Sequence, residues 1–114
     1  MRTFETGATR DSEEGKLDYE GFLSPLVLEA FSEYLNKHRV QADGAIRDSD
    51  NWQKGISRQV YMKSLFRHFM DLWKLHRGYK ALDPKTGATI TVKEACAAIM
   101  FNVMGYMFEV LHGR

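Results

Sequence analysis

Apolar side chains recur at helical spacing in three segments of this sequence. The first segment begins at Ser24-Pro25, a hydroxyl followed by a proline, which suits the start of a helix, and it runs to about His38. The second begins after Ser57 and ends at Gly78. The third opens with Thr91-x-x-Glu94, the spacing of a capping box, and runs to His112. The pattern predicts an all-α fold with three main helices.

The third segment is almost wholly apolar, with Asn102 at the centre of its apolar run. A helix that is apolar all round is expected to be buried all round. The amide of Asn102 must then find partners, because an unpaired buried polar group costs roughly 1–3 kcal/mol. Asn102 therefore either links helices or faces a polar pocket inside a bundle.

The segments between the helices are polar and rich in turn-forming residues. Residues 1–21 lack apolar periodicity and predict a polar N-terminal arm, which leaves residues 22–114 as a single helical domain. The connection 39–56 is long for a small helical domain, and such loops often carry function. Residues 79–91 predict a small hairpin that turns at Asp83–Gly87. The second and third helices are too apolar for one partner helix, so we expect a helical-bundle oligomer.

Charge and cysteine content exclude several classes of protein. Sixteen Lys and Arg against fifteen Asp and Glu give a net charge of +1, which supplies no global attraction to nucleic acid or to an anionic membrane. The single cysteine, Cys96, cannot form an internal disulfide, and residues 1–16 contain no apolar signal segment. The most apolar run, Ala95–Val110, is short for a bilayer span. We expect a cytoplasmic protein with no membrane or nucleic-acid partner.

Carboxylates on two helices are candidates for binding a divalent cation. Glu29 and Glu33 lie one turn apart on the first helix and form either a solvated face or a metal site. Mg²⁺ prefers carboxylate oxygens and usually shares its coordination shell with substrate phosphates. Glu94 is either a capping residue alone or a further ligand, and Asn102 could add a neutral oxygen. No group of His and Cys has the spacing of a zinc site.

Cationic and aromatic residues could bind a nucleotide. Arg67 could meet a phosphate, while His68 is either a satisfied histidine hydrogen-bonded near Asp71 or a contact to the base. Trp52 lies in the loop and would be exposed unless it packs back as a lid, where it could stack on a base. The stretch from Gly7 to Lys16 ends in Gly-Lys, but its glycine spacing is wrong for a phosphate loop.

Several short motifs, in their order and spacing, resemble a known family. GATRDSEEGK, SPLVLEAFSEYL, DNWQKG, SLFRHFMDLW and AAIMFNVMGY, spread over most of residues 7–106, are similar to the phage-associated dATP/dGTP pyrophosphohydrolase-type domain. That domain is related to the MazG-like all-α nucleotide pyrophosphohydrolases. The resemblance implies a homodimer or homotetramer that uses Mg²⁺ or Mn²⁺ to split a purine deoxynucleoside triphosphate into a monophosphate and pyrophosphate. A phage protein of this kind would act in the host cytoplasm.

The resemblance suggests a role for each candidate residue. The metal ligands would be Glu29, Glu33, Glu94 and Asn102, with Glu33 and Glu94 the catalytic pair. The nucleotide-binding residues would be Arg10, Lys16, Trp52, Lys54, Arg67 and His68, the first two on an arm that closes over the ligand. The chain departs from the family at three places. Gly78-Tyr79-Lys80 replaces Gly-Glu-Asp, and Ala95 and Ala98 replace histidines. The family's Glu-x-x-Asp pair is absent, because the third residue after Glu94 is Ala97. A non-catalytic protein that sequesters a nucleotide or signalling molecule, or a purely structural oligomer, is therefore the alternative.

Overall fold

The computed structural model describes all residues 1–114 and confirms the all-α fold class. The elements, in chain order, are strands β1 (Arg2–Thr3) and β2 (Thr9–Arg10), helices α1 (Tyr19–Phe22) and α2 (Pro25–Lys37), a 3-10 helix (Asn51–Lys54), and helices α3 (Arg58–His76) and α4 (Val92–Leu111). The three predicted main helices are α2, α3 and α4.

Each of the three long helices begins at the side-chain cap that its sequence predicts. Ser24 Oγ accepts a hydrogen bond from the Val27 amide at 3.3 Å. Ser57 Oγ accepts one from the Gln59 amide at 3.2 Å. In α4 the capping box is complete: Thr91 Oγ1 accepts from the Glu94 amide at 3.1 Å, and Glu94 Oε1 accepts from the Thr91 amide at 3.3 Å. These bonds satisfy amides that would otherwise be unpaired at a helix start.

Helix α4 is the element that the other two long helices share. It packs against both α2 and α3, whereas α2 and α3 have no residue pair whose Cα atoms lie within 8 Å of each other. The three helices therefore form an open layer rather than a closed bundle. The 3-10 helix also contacts α4.

The prediction that α4 is buried all round is wrong for the single chain. Its buried residues lie on one face: Ala95, Ala97, Ala98, Asn102, Gly105 and Glu109. On another face Val103, Met107 and Val110 keep 44, 57 and 48% of their surface exposed. An open layer covers only one side of its central helix, so the far side of α4 remains uncovered.

The N-terminal residues form small local structures that stand apart from the helical layer. β1 and β2 pair antiparallel, with Arg2 opposite Arg10, in a stretch where the sequence predicts no strand. Asp18 Oδ1 caps α1 by accepting from the Gly21 amide at 3.0 Å. Neither the strand pair nor α1 packs against a long helix. The predicted hairpin over residues 79–91 is present as a short bridge between Leu82 and Thr89. The Ile90 amide donates to the Ala81 carbonyl at 2.8 Å on one side of it, and the chain turns at Asp83–Gly87 as predicted.

Candidate functional site

A cavity of about 340 Å³ lies where the C-terminal end of α2, the 39–56 loop, α3 and α4 meet. We call it the Asn102 cavity. Its lining mixes aromatic, cationic and neutral polar side chains: Tyr34, Leu35, His38, Arg39, Arg47, Asp48, Ser49, Asn51, Trp52, Ile56, Ser64, His68, Ala98, Phe101 and Asn102. Three of the candidates predicted from the sequence, Trp52, His68 and Asn102, are thus brought to one place.

Asn102 is 4% exposed and lines the cavity from α4. Its Nδ2 donates a hydrogen bond to the Ala98 carbonyl of the same helix at 2.8 Å. This is the only hydrogen bond that the amide makes within the chain, so Oδ1 remains available as an acceptor. Of the two roles that the sequence left open, the structure supports the polar pocket, since the amide bonds to no neighbouring helix.

His68 enters the cavity from α3 with about a third of its side chain exposed. Burial lowers its pKa below the usual 6.5; the charge of Asp71 opposes this shift, and the nearby Arg67 cation adds to it. The Nδ1 atom is 3.8 Å from Asp71 Oδ2, longer than a hydrogen bond. At neutral pH the imidazole is therefore uncharged and can both donate and accept.

Trp52 forms the aromatic wall of the cavity. The 3-10 helix holds its ring edge-on against α4, 4.8 Å from the Phe108 ring centroid and 6.2 Å from that of Phe101. The ring is half-buried, so Trp52 packs back onto the domain as the sequence analysis allowed. Such a fixed, partly exposed aromatic surface can take a flat apolar ring of a ligand.

Two arginines of the 39–56 loop line the cavity, and the sequence analysis missed both. The bridge between Val40 and Ile46 doubles the chain back, so that Arg39 and Arg47 become neighbours. The Arg47 amide donates to the Arg39 carbonyl at 2.9 Å, and Arg39 Nε donates to the Arg47 carbonyl at 2.8 Å. The length of the loop indicated a functional role, but only the bridge shows that these two residues are neighbours.

A shallow groove next to the cavity holds the two predicted catalytic carboxylates. We call it the carboxylate groove; its lining is Ala30, Glu33, Tyr34, Lys37, Thr91, Lys93 and Glu94. Tyr34 lines both the groove and the Asn102 cavity. Burial raises the pKa of Tyr34, and the negative charge of Glu94 raises it further. The groove and the cavity are therefore adjacent, and Tyr34 forms part of the wall of each.

The predicted four-residue metal site is not assembled in the single chain. Glu29 is exposed and lines neither hollow, and Asn102 lines the cavity but not the groove. No group of three or more His, Cys, Asp or Glu side chains is placed to hold a metal ion. The groove offers two carboxylates, Glu33 and Glu94, and no third acid beside them.

Both groove carboxylates already have partners. Glu33 Oε2 lies 3.9 Å from Lys93 Nζ, and the side chains are 62 and 66% exposed. Glu94 Oε1 accepts from the Thr91 amide and from Thr91 Oγ1. The pair with Lys93 is exposed and long, so it is worth little and Glu33 can change partner.

Four predicted nucleotide-binding residues lie away from the cavity in the single chain. Lys54 and Arg67 are exposed and do not line the cavity. Arg67 is one residue from His68 and therefore points about 100° away from it around α3. Arg10 and Lys16 line a separate hollow in the N-terminal arm, whose strand pair and α1 do not pack against a long helix. Their roles toward a ligand stay predictions.

A buried carboxylate that the sequence analysis did not single out ties the end of the loop to α4. Glu109 is 2% exposed and accepts from the Ile56 amide at 3.1 Å and from Arg114 Nε at 2.7 Å. The hydrogen bond from Ile56 and the nearby Arg114 cation hold the Glu109 pKa below its usual 4.5. Because Ile56 also lines the Asn102 cavity, Glu109 helps to fix the wall that carries Trp52.

Comparison with protein-family models, with curated proteins and with solved structures finds no significant match. Function is therefore inferred from the geometry and chemistry of the site.

Proposed function

We propose that this chain binds a purine deoxynucleoside triphosphate in the Asn102 cavity and hydrolyses it, with Mg²⁺ or Mn²⁺, to the monophosphate and pyrophosphate. The observation that carries the proposal is the composition of one cavity. It joins a buried amide, an aromatic wall and two arginines, and it adjoins a groove with two carboxylates. Its volume of about 340 Å³ falls within the range of small-molecule sites.

The base of the nucleotide would lie at the inner end, between Trp52 and Asn102. A purine is flat and carries hydrogen-bond donors and acceptors on its edge. Its site therefore needs an aromatic surface for the ring and a polar group that hydrogen-bonds to the edge. Trp52 supplies the first, and the unpaired Oδ1 of Asn102 supplies an acceptor for an exocyclic amine. Oδ1 accepts no hydrogen bond within the chain, so a ligand amine can pair with it without displacing a protein donor.

The phosphates would lie toward the loop, at Arg39 and Arg47. Guanidinium groups stay charged at all ordinary pH values and bind phosphate oxygens in a bidentate way. The bridge between Val40 and Ile46 sets the two arginines side by side before any ligand arrives. Part of the entropic cost of ordering a phosphate site is therefore already met by the fold.

The carboxylate groove would hold the divalent cation through Glu33 and Glu94, with the substrate phosphates completing its shell. Such an ion neutralises phosphate charge and lowers the pKa of a bound water. Lys37 and Lys93 line the same groove and can neutralise the pyrophosphate that leaves. Tyr34 separates the groove from the base-binding end, so one nucleotide could extend from the cavity past this ring.

A non-catalytic protein that sequesters a nucleotide is the second candidate. It is favoured by the partners that the carboxylates already have, Lys93 for Glu33 and the Thr91 capping box for Glu94, and by the lack of a third acid beside them. In this role the Asn102 cavity binds in the same way, and no turnover follows.

The deciding experiment is incubation with each of the four dNTPs and Mg²⁺ or Mn²⁺, with pyrophosphate and monophosphate quantified. Glu33→Gln is the test variant and Glu29→Gln the matched control, because Glu29 lies on the same helix but outside the groove. Pyrophosphate release that is lost only in Glu33→Gln supports the hydrolase. Binding without release supports sequestration, and the absence of both contradicts either function.

A further inference from the structure

Helix α4 carries a second apolar stripe on the face that the single chain leaves uncovered. Its residues are Cys96, Met100, Val103, Met107 and Val110, and we call them the α4 seam. Their spacings alternate between four and three, the heptad pattern by which one helix packs along another. No residue of the seam is charged.

None of the seam residues is buried in the single chain. Val103, Met107 and Val110 are 44, 57 and 48% exposed, and Cys96 and Met100 are half-buried. The buried polar residues Asn102 and Glu109 lie on a different face and bond within the chain. Helix α4 thus has one face packed against α2 and α3 and another face with no partner in the single chain.

The chain exposes far more surface than a self-contained domain of its size. A compact monomer of 13.2 kDa has an accessible surface of about 6,400 Å², whereas this chain has 9271 Å². The radius of gyration is 19.2 Å, against about 13 Å for a compact chain of this length. The excess of about 2,900 Å² includes the N-terminal arm, and it is larger than the roughly 1,000–2,500 Å² that one subunit loses in a large obligate interface.

We propose that two copies of this chain associate by packing α4 against α4 along the seam. A twofold axis sets the same stripe against itself, so an uncharged, regularly spaced stripe is self-complementary. The net charge of +1 leaves little repulsion between the copies. The pairing gives the open helical layer the second layer that a stable core requires.

A lipid bilayer is the alternative partner for the α4 seam. By length and composition α4 could cross a bilayer, with 20 residues, a mean hydropathy of 1.3 and 33% of its most apolar window buried. A lipid-embedded α4 would have to separate from α2 and α3 and expose Asn102 and Glu109 to hydrocarbon, which is costly. A second copy covers the seam and leaves those residues where they are.

The test is the mass of the full-length protein in solution by sedimentation velocity, in the micromolar range and without detergent. We expect twice the mass of 13.2 kDa for the native chain. Val103→Glu places a charge in the seam and should weaken the dimer by at least about 100-fold. Leu82→Glu is the matched control: Leu82 is 53% exposed but lies outside the helices, so the dimer should persist.

Cys96 supplies a second readout, since it is the only cysteine and lies in the seam. Maleimide should label it slowly in the native dimer and several times faster in Val103→Glu. If that variant is unfolded by circular dichroism, Met107→Gln replaces it in both measurements. A monomeric native chain, a dimer that seam variants do not weaken, or co-sedimentation with phosphatidylcholine vesicles would each overturn the proposal. Dimerisation and nucleotide hydrolysis use different faces of α4, so either can fail without the other.

Discussion

The ring of Tyr61 lies directly against the backbone of Gly105, where a single added methyl group would overlap the ring carbons. Tyr61 is 2% exposed and also packs edge-on against Phe101, with ring centroids 5.9 Å apart. Helices α3 and α4 can approach this closely only because position 105 has no side chain. This contact joins the helix that carries His68 to the helix that carries Asn102, so it helps to set the width of the Asn102 cavity.

Gly105→Ala should destabilise the protein. The methyl group overpacks the contact with Tyr61, at a cost of about 1–3 kcal/mol, which exceeds the roughly 0.5–1 kcal/mol that alanine gains over glycine in a helix. Urea unfolding followed by circular dichroism measures the difference. Unchanged or increased stability would show that the two helices are not in close contact here.

Tyr61→Phe should be neutral or stabilising. The hydroxyl of Tyr61 is buried and has no hydrogen-bond partner, and burial together with the charge of Glu109 raises its pKa. Removing an unpaired buried hydroxyl relieves a desolvation cost of about 1–3 kcal/mol, while the ring and its packing remain. The same unfolding measurement applies, and a clear loss of stability would indicate a partner for the hydroxyl.

Stability should fall in acid because of Glu109. The Glu109 pKa is lower in the folded protein than its usual value of 4.5, so the unfolded chain binds its proton first. The stabilisation is fully present above about pH 4.5 and is lost as the pH falls toward the folded pKa. The free energy of unfolding should be measured at a series of pH values. In Glu109→Gln it should fall less in acid than in the native protein, whereas the exposed control Glu14→Gln should behave like the native protein.

His68 should make nucleotide binding depend on pH. Its pKa is below 6.5 in the free protein, and a bound polyphosphate would raise it by attraction, so binding takes up a proton. Affinity should therefore increase as the pH falls from about 7.5 to 6. The nucleotide's own phosphate also titrates, but it affects all variants equally. The contribution of His68 is therefore the part of the pH dependence of affinity that is lost in His68→Gln. Equal slopes would mean that His68 does not face the ligand.

The helix starts and some of the site could be predicted because their signals are local. Ser24-Pro25 and the Thr91–Glu94 box each act within one turn, and both form as the sequence indicates. Asn102 stands out because an amide in an apolar helix must be satisfied, and the structure places it at a cavity.

The rest depends on tertiary structure, which spacing does not show. Arg39 and Arg47 meet only because Val40 and Ile46 pair across the loop. The exposed face of α4 follows from the distance between α2 and α3, since neighbours that do not meet cannot enclose the helix between them. Residue type therefore indicated which side chains could bind a nucleotide, and the chain path decided which of them share a cavity.

The central claim, that the Asn102 cavity binds a nucleotide, is tested most directly by a titration of Trp52 fluorescence. Trp73 is the only other tryptophan and lies 49% exposed on α3, so Trp73→Phe leaves Trp52 as the sole reporter. We expect a saturable change with dATP or dGTP, at least about tenfold weaker in Asn102→Ala and in Arg47→Ala. Lys63→Ala, which removes an exposed cation from α3 outside the cavity, should leave the affinity unchanged. No saturable change, or equal affinity in all of these proteins, would contradict the account.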